Sequence, residues 1–151
     1  MALRVGGIVE GTYEEGLVES PGDGASGVQV DLLLGKTFGT SGFGIAGDVG
    51  YRYRTGIVPD DFLASVGAYQ TFLEHLHVSL GVSHERGLSG SDIGDVGFNF
   101  PGLKEISTTG EAAIGFSHPR GHYVGFSFAR TFDGRNTGKK FVYGGVATFA
   151  F

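Results

Sequence analysis

Histidine, serine and carboxylate side chains occur together in one part of the chain, where they could support hydrolysis. His77 and Ser79 are two residues apart, so they lie on the same face of an extended strand. Glu85 and Glu111 are predicted to share that face, which supplies the residue types of a Ser/His/acid hydrolase. A spacing of two along a strand, however, does not bring a nucleophile within hydrogen-bond reach of its base. We therefore expect a protein that is not an enzyme and assign no catalytic residue.

Metal and cofactor chemistry is also not expected. His75 and His77 lie next to a predicted turn, where we expect no metal-binding pair, and the chain contains no cysteine. The abundant glycines form no phosphate-binding pattern that opens a helix. The sequence therefore predicts no metal site and no cofactor.

Composition favours strands over helices. Glycine accounts for 29 of 151 residues, and each glycine in a helix costs roughly 1 kcal/mol relative to alanine. The net charge of -5 provides no basic surface, so we expect no nucleic-acid partner. No run of about 18 apolar residues predicts a membrane helix. The start "MALRVGGIVEG" lacks the basic and apolar regions of a signal peptide, which suggests a mature or truncated form.

The chain alternates between apolar and polar or small residues in segments of about ten residues, the length of a tilted membrane-spanning strand. Glycine, Asp, Ser, Pro and Asn separate these segments. Eight strands are predicted: Ala2–Tyr13, Gly27–Phe38, Phe43–Arg54, Asp61–Thr71, His75–Glu85, Lys104–Ser117, His122–Phe132 and Lys139–Phe151.

The connections between these strands alternate in length. Short turns are predicted at 39–42, 72–74 and 118–121, longer connections at 14–26, 86–103 and 133–139, and one of intermediate length at 55–60. Such alternation is typical of an up-and-down meander whose first and last strands pair and leave no edge. The predicted fold is therefore all-β, an eight-stranded antiparallel up-and-down barrel that forms a single domain over residues 1–151.

The charged residues decide which face is inside. In the clearest strands they share the face that is rich in Gly, Ala, Ser and Thr, whereas the other face is apolar and aromatic. A soluble barrel would have to pack the large apolar face into its interior, and eight strands leave too little room for it. We therefore predict a transmembrane β-barrel with lipid outside.

In the fourth strand, whose faces are both fairly apolar, Leu63, Gly67 and Tyr69 are predicted to face outward. The predicted lumen-facing polar network comprises Arg4, Glu10, Asp31, Asp48, Arg52, Glu85 and Glu111.

Two interpretations of this polar network remain open. It is either an internal salt-bridge network or the lining of a lumen that contacts permeating solutes. Arg52 opposite Asp48, Asp31 or Glu10 would fit both interpretations. The many small inward residues would leave space for water, although they would equally serve close packing in a coiled sheet.

The last strand, "KKFVYGGVATFAF", carries a specific resemblance. Apolar or aromatic residues at alternate positions and a terminal Phe resemble the recognition signal of bacterial outer-membrane barrels, with Tyr143, Phe149 and Phe151 at the aromatic places. In some versions of this recognition signal, glycine is expected at the position that Val146 occupies. The resemblance implies the barrel assembly machinery as a partner, and it implies that Phe149 and Phe151 lie in the membrane interface.

The second half of the chain has a narrower resemblance. "GFNFPGL", "GEAAIGFSH" and "ARTFDGRNTGK" resemble the outer-membrane family of meta-pathway phenol-degradation proteins, which are regarded as transport barrels. This resemblance implies passive transport of small solutes, including hydrophobic or aromatic ones. The members of that family are longer, so the chain could also be the C-terminal part of a larger barrel.

We therefore expect a porin-like barrel of the bacterial outer membrane, surrounded by outer-membrane lipids and lipopolysaccharide. Two alternatives are a structural or adhesive barrel that binds through its long extracellular loops, and a lipid-modifying enzyme.

Overall fold

The computed structural model of the protein describes residues 1–10 and 24–150. Eight strands follow one another along this part of the chain: β1 (Ala2–Ile8), β2 (Gly27–Phe38), β3 (Phe43–Arg54), β4 (Asp61–Phe72), β5 (Leu76–Gly87), β6 (Ile106–Ser117), β7 (Tyr123–Arg135) and β8 (Phe141–Thr148).

The strands form one antiparallel sheet in the order β1 to β8, so each strand pairs with its neighbours in the chain. Short turns at 39–42, 73–75 and 118–122 join the strands at one end of the sheet, and the connections at 55–60, 88–105 and 136–140 join them at the other. The predicted all-β, antiparallel, up-and-down arrangement of eight strands is confirmed. The sheet is not closed, because no described residue of β1 pairs with β8.

The strand boundaries differ from the predictions mainly at the two ends of the chain. β1 was expected to reach Tyr13 but ends at Ile8, and positions 11–13 lie outside the described residues. β8 begins at Phe141 rather than Lys139 and ends at Thr148, while Phe151 is also outside the described residues. The inner strands deviate by at most a few residues.

An apolar core is missing from the described part of the chain. Its buried apolar residues are Ala25, Val58 and Leu103, and all three lie in connections rather than strands. Large apolar side chains are instead exposed along one face of every strand, whereas the buried strand residues include Asp31 and Asp61. This arrangement is the reverse of that in a water-soluble sheet protein.

The prediction for the faces of β4 is wrong. Tyr69 pairs with Ser79, and the Tyr69 hydroxyl lies 2.7 Å from Oγ1 of Thr37 on the polar face of β2. Paired residues of an antiparallel sheet point to the same side, so Leu63 and Gly67, which alternate in step with Tyr69, also face the polar side.

Candidate functional site

The sheet curls around a cavity of about 850 Å³ that is lined by residues of β2 to β8. Its wall includes many hydroxyl side chains from four neighbouring strands, together with glycine and alanine. These hydroxyl residues are Ser65, Ser79, Ser83, Ser107, Thr109, Ser127 and Thr131. Small and hydroxyl side chains leave the cavity open and able to hold water.

An ion pair joins the polar faces of β1 and β2. Arg4 and Asp31 are directly opposite in the register, and Nε of Arg4 donates a hydrogen bond of 2.8 Å to Oδ2 of Asp31. The Gln29 side-chain amide donates to both oxygens of the same carboxylate, at 2.9 and 3.1 Å. Asp31 is only 1% exposed, so these donors replace the water that the carboxylate has lost.

Arg52 extends this network across β3, β4 and β5. Its Nε donates to Oε1 of Gln29 at 3.0 Å, and its Nη1 donates to Asp61 at 3.2 Å and to Glu85 at 2.9 Å. Arg54 reaches the other side of the cluster, with its Nη2 2.8 Å from Oδ2 of Asp61. A continuous chain of charged and amide groups therefore connects five strands, at the end of the sheet where the longer connections lie.

The expected partners of Arg52 were not correct. We predicted Asp48, Asp31 or Glu10 opposite Arg52, but its carboxylate partners are Asp61 and Glu85. Asp61 was missed because the polar face of its strand was misassigned.

The remaining predicted carboxylates have different surroundings. Asp48 accepts a hydrogen bond of 2.6 Å from the Ser65 hydroxyl, and Glu111 accepts one of 3.3 Å from Ser83. Glu10 lies beyond the end of β1 and is exposed. Every buried side-chain nitrogen or oxygen in the described part of the chain has a hydrogen-bond partner, which is what an internal structural network requires.

Asp60 lies just before β4, next to the charged network. The Tyr51 hydroxyl donates to Oδ2 of Asp60 at 2.5 Å, and the backbone N–H of Arg54 donates to Oδ1 at 2.9 Å. The Tyr51 hydrogen bond, followed by that of the Arg54 amide, holds the pKa of Asp60 below its ordinary value.

The histidine that was considered for catalysis contacts a serine on a neighbouring strand rather than Ser79. Nε2 of His77 lies 2.8 Å from Oγ of Ser117, and Nδ1 lies 3.1 Å from Oγ1 of Thr71. No hydrogen bond to Ser79 is present. Since Ser117 is forty residues further along the chain, only the pairing of β5 with β6 reveals this contact.

The aromatic residues of the predicted C-terminal signal lie at the outer edge of the sheet and just beyond it. Tyr143 is exposed and its ring centroid is 5.4 Å from that of Phe128 in β7. Phe149 follows β8, with its ring centroid 6.0 Å from that of His122. Phe151 lies outside the described residues.

The longest described connection, residues 88–105, is fastened to the 136–140 connection. Asn136 donates to Oδ1 of Asp92 at 2.7 Å and to the carbonyl oxygen of Lys104 at 2.9 Å, and Arg135 pairs with Oδ2 of Asp92. The connection nevertheless exposes Leu88, Ile93, Val96, Phe98 and Phe100.

Comparison with known proteins gives no match. No protein-family model, no curated protein and no solved structure is significantly similar to the chain. Among the described residues, no helix has the length and apolar character needed to cross a membrane. The same residues contain no group of three or more His, Asp or Glu side chains that could hold a metal ion.

Proposed function

We propose that the protein is a transmembrane β-barrel of a bacterial outer membrane that lets small solutes pass passively. The observation that carries this proposal is the distribution of polarity across the sheet. One face exposes large apolar residues along every strand, and the other encloses a cavity of about 850 Å³ with charged, hydroxyl and small side chains. Lipid is the environment in which such an arrangement is stable.

The proposal includes closure of the sheet by pairing of β1 with β8. Both strands have one free edge; β8 finishes at the short-turn end of the sheet, and β1 starts on the side nearer that end, with Ala2 opposite Leu33. A free edge in lipid leaves backbone N–H and C=O groups without partners, at a cost of several kcal/mol for each group. Closure would satisfy these groups.

The interior supports passage of water and small solutes. An eight-stranded barrel is normally filled by its own side chains. Here Gly67 pairs with Gly81 at mid-height, and the surrounding positions are mainly serine and alanine. The solutes are those that the narrower family resemblance implies, small molecules including hydrophobic or aromatic ones.

The proposed partners follow from the same proposal of a membrane-spanning barrel. Outer-membrane lipids would cover the apolar face, and lipopolysaccharide phosphates would meet the basic segment 133–140. The barrel assembly machinery would read the last strand through Tyr143, Phe149 and Phe151.

Single-channel recording in planar bilayers tests the passive-transport proposal. The full chain is refolded in detergent, reconstituted, and its insertion is verified by protease protection. We expect discrete conductance steps that scale with salt concentration. A bilayer that stays electrically closed after verified insertion contradicts the pore.

Introduced cysteines test closure, because the native chain has none. Val5→Cys in β1 is combined in turn with cysteine at 143, 145 or 147, which lie on the corresponding face of β8. Closure predicts that one of the three pairs forms an intramolecular disulfide in vesicles, since Cα atoms of bridged cysteines lie within about 7 Å. Intermolecular disulfides alone would instead indicate a larger barrel made of several chains, and no disulfides would indicate an open sheet.

A second function, adhesion through the loops, is favoured by the 88–105 connection. This segment is fixed by the contacts among Asp92, Lys104 and Asn136, yet it exposes five large apolar side chains. An ordered apolar surface of this kind is typical of a binding site. A bilayer that stays closed, together with loss of cell-surface attachment in Val96→Ser, would favour adhesion over transport.

A further inference from the structure

We propose that Ser117 is a nucleophile that carboxylic esters acylate, with His77 as its general base and Thr71 as the residue that positions the imidazole. This activity goes beyond the proposed transport function and does not depend on conductance. It rests on three side chains from adjacent strands that contact one another on the polar face.

The sheet register explains why the three side chains meet. Thr71 and His77 are directly opposite in β4 and β5. His77 faces Gly115 in β6, and because Gly115 has no side chain, the imidazole can extend diagonally to Ser117, two residues further on. The resulting distances are 2.8 Å from Nε2 to Ser117 and 3.1 Å from Nδ1 to Thr71. A base that contacts both a nucleophile and an orienting group is the arrangement expected of an activated serine.

Tyr123 provides an apolar surface beside this pair. It is opposite Ser117 in the register, and its ring centroid is 6.3 Å from that of His77. The ring lies over the paired glycines Gly115 and Gly125, since a Cβ atom at Gly115 would come within 2.2 Å of the Tyr123 hydroxyl oxygen. His77, Ser117 and Tyr123 are each partly exposed on the polar face of the sheet, so a small molecule can reach them from that face.

The tautomer required for catalysis is compatible with these contacts. With a proton on Nδ1, His77 donates to Oγ1 of Thr71 and leaves Nε2 free to accept the hydroxyl proton of Ser117. Thr71 thereby selects the tautomer and the ring orientation, which is the role of the third member of a catalytic triad.

The reaction is balanced without any further reactant except water. Oγ of Ser117 bonds to the ester carbonyl carbon while His77 Nε2 takes its proton. The bond from the carbonyl carbon to the alkoxy oxygen then breaks, and the alcohol leaves with that proton. Water, deprotonated by His77, attacks the acyl-serine, and the free acid and the original hydroxyl are restored. No ion pair in the described part of the chain involves His77, Ser117 or Tyr123, so the site fits an uncharged ester better than a charged one.

Covalent labelling tests the proposal. The full chain, refolded in detergent and checked for strand content by circular dichroism, is treated with an uncharged alkyl fluorophosphonate. Oγ of an activated serine bonds to phosphorus and fluoride leaves, and the adduct is mapped by mass spectrometry. We expect one adduct, on Ser117, and its absence in Ser117→Ala. Ser79→Ala is the matched control, because Ser79 lies on the same face of β5 as His77 without a hydrogen bond to it, and it should label normally.

Two further variants separate catalysis from structure. His77→Gln keeps a hydrogen-bonding side chain but has no basic nitrogen, so labelling should slow by about 10²-fold or more while the strand content is unchanged. Thr71→Val should slow labelling, because valine cannot accept the hydrogen bond from Nδ1 of His77. Thr71→Ser should label at close to the wild-type rate, because the serine hydroxyl can accept it. Absence of an adduct on folded wild-type protein, an adduct on another serine, or equal labelling of His77→Gln would each overturn the proposal.

Discussion

The carboxylate of Asp31 fills the space that a side chain at position 50 would need. Asp31 and Gly50 are directly opposite in β2 and β3, and a Cβ atom on Gly50 would lie 2.1 Å from Oδ1 of Asp31. Because Arg4 and Gln29 both hold this carboxylate, it cannot move aside without losing hydrogen bonds. The missing side chain of Gly50 is therefore part of the charged network.

Gly50→Ala should destabilise the protein by about 1–3 kcal/mol, the usual cost of overpacking. The measurement is the free energy of unfolding by urea in detergent micelles. Gly6→Ala on β1 is the control, since no atom lies within 4 Å of the added methyl group, and it should be close to neutral. Equal stability of the two variants would contradict the close contact between Gly50 and Asp31.

Arg52→Met should cost about 3–5 kcal/mol, because it leaves two carboxylates, one of them the nearly inaccessible Asp61, without this partner. Arg135→Met removes an ion pair whose arginine is mostly exposed, and its cost should stay below about 1 kcal/mol. Both values come from urea unfolding at neutral pH. A cost for Arg52→Met as small as that for Arg135→Met would show that the cluster does not hold β3, β4 and β5 together.

The hydrogen bond between Tyr51 and Asp60 should stabilise the protein only when Asp60 is ionised. The pKa of Asp60 is lowered in the folded state, so its contribution is complete above the ordinary pKa of about 3.9 and is lost as the pH falls through the lower folded value. Tyr51→Phe should therefore be less stable than wild type at neutral pH, and this difference should shrink progressively below about pH 4.

Thermal unfolding in detergent between neutral and acidic pH measures this effect. Tyr53→Phe is the control, because no hydrogen bond of the Tyr53 hydroxyl is found among the described residues, and its small effect should not vary with pH. A pH-independent deficit in Tyr51→Phe would mean that the loss comes from packing.

Comparison of Leu80→Arg with Val96→Arg tests whether the apolar face of β5 contacts lipid, as we propose. Leu80 is 64% exposed in the middle of β5, and Val96 is fully exposed in the 88–105 connection. In water both substitutions should be nearly neutral. In a membrane, arginine at the level of Leu80 should cost about 2–4 kcal/mol, whereas arginine at Val96 should remain neutral. Urea unfolding in lipid vesicles gives both values, and equal costs would argue against a lipid-facing β5.

Alternation in the sequence was sufficient to locate the strands, since most charged and apolar residues lie on opposite faces in β2, β3 and β5, and the exceptions Lys36, His84 and Arg86 lie near strand ends. It failed in β4, where Leu63 and Tyr69 made the polar face resemble the apolar one. The signal that could have corrected this was the spacing of Asp61, Ser65 and Thr71, which share one face. Each of them pairs with a polar residue of at least one neighbouring strand.

The contacts between strands depend on register, which alternation alone does not provide. His77 and Ser79 can be related from the sequence because both lie on one strand. Ser117, in contrast, reaches His77 only through the pairing of β5 with β6 and across Gly115, which has no side chain. In the same way Arg52 was matched to carboxylates of nearby strands, whereas its partners follow from its position opposite Asp61.

The strictly sequential strand order has a kinetic consequence. Each pairing in the sheet joins strands that a single connection separates, so seven hairpins can form one after another at low entropic cost. The proposed pairing of β1 with β8 would be different, because it would bring together residues from opposite ends of the chain and could form only once both edge strands are in place. A barrel formed in this way would complete its hairpins early and close by pairing of β1 with β8 last. The folding intermediate that accumulates would be a curled sheet with one open seam.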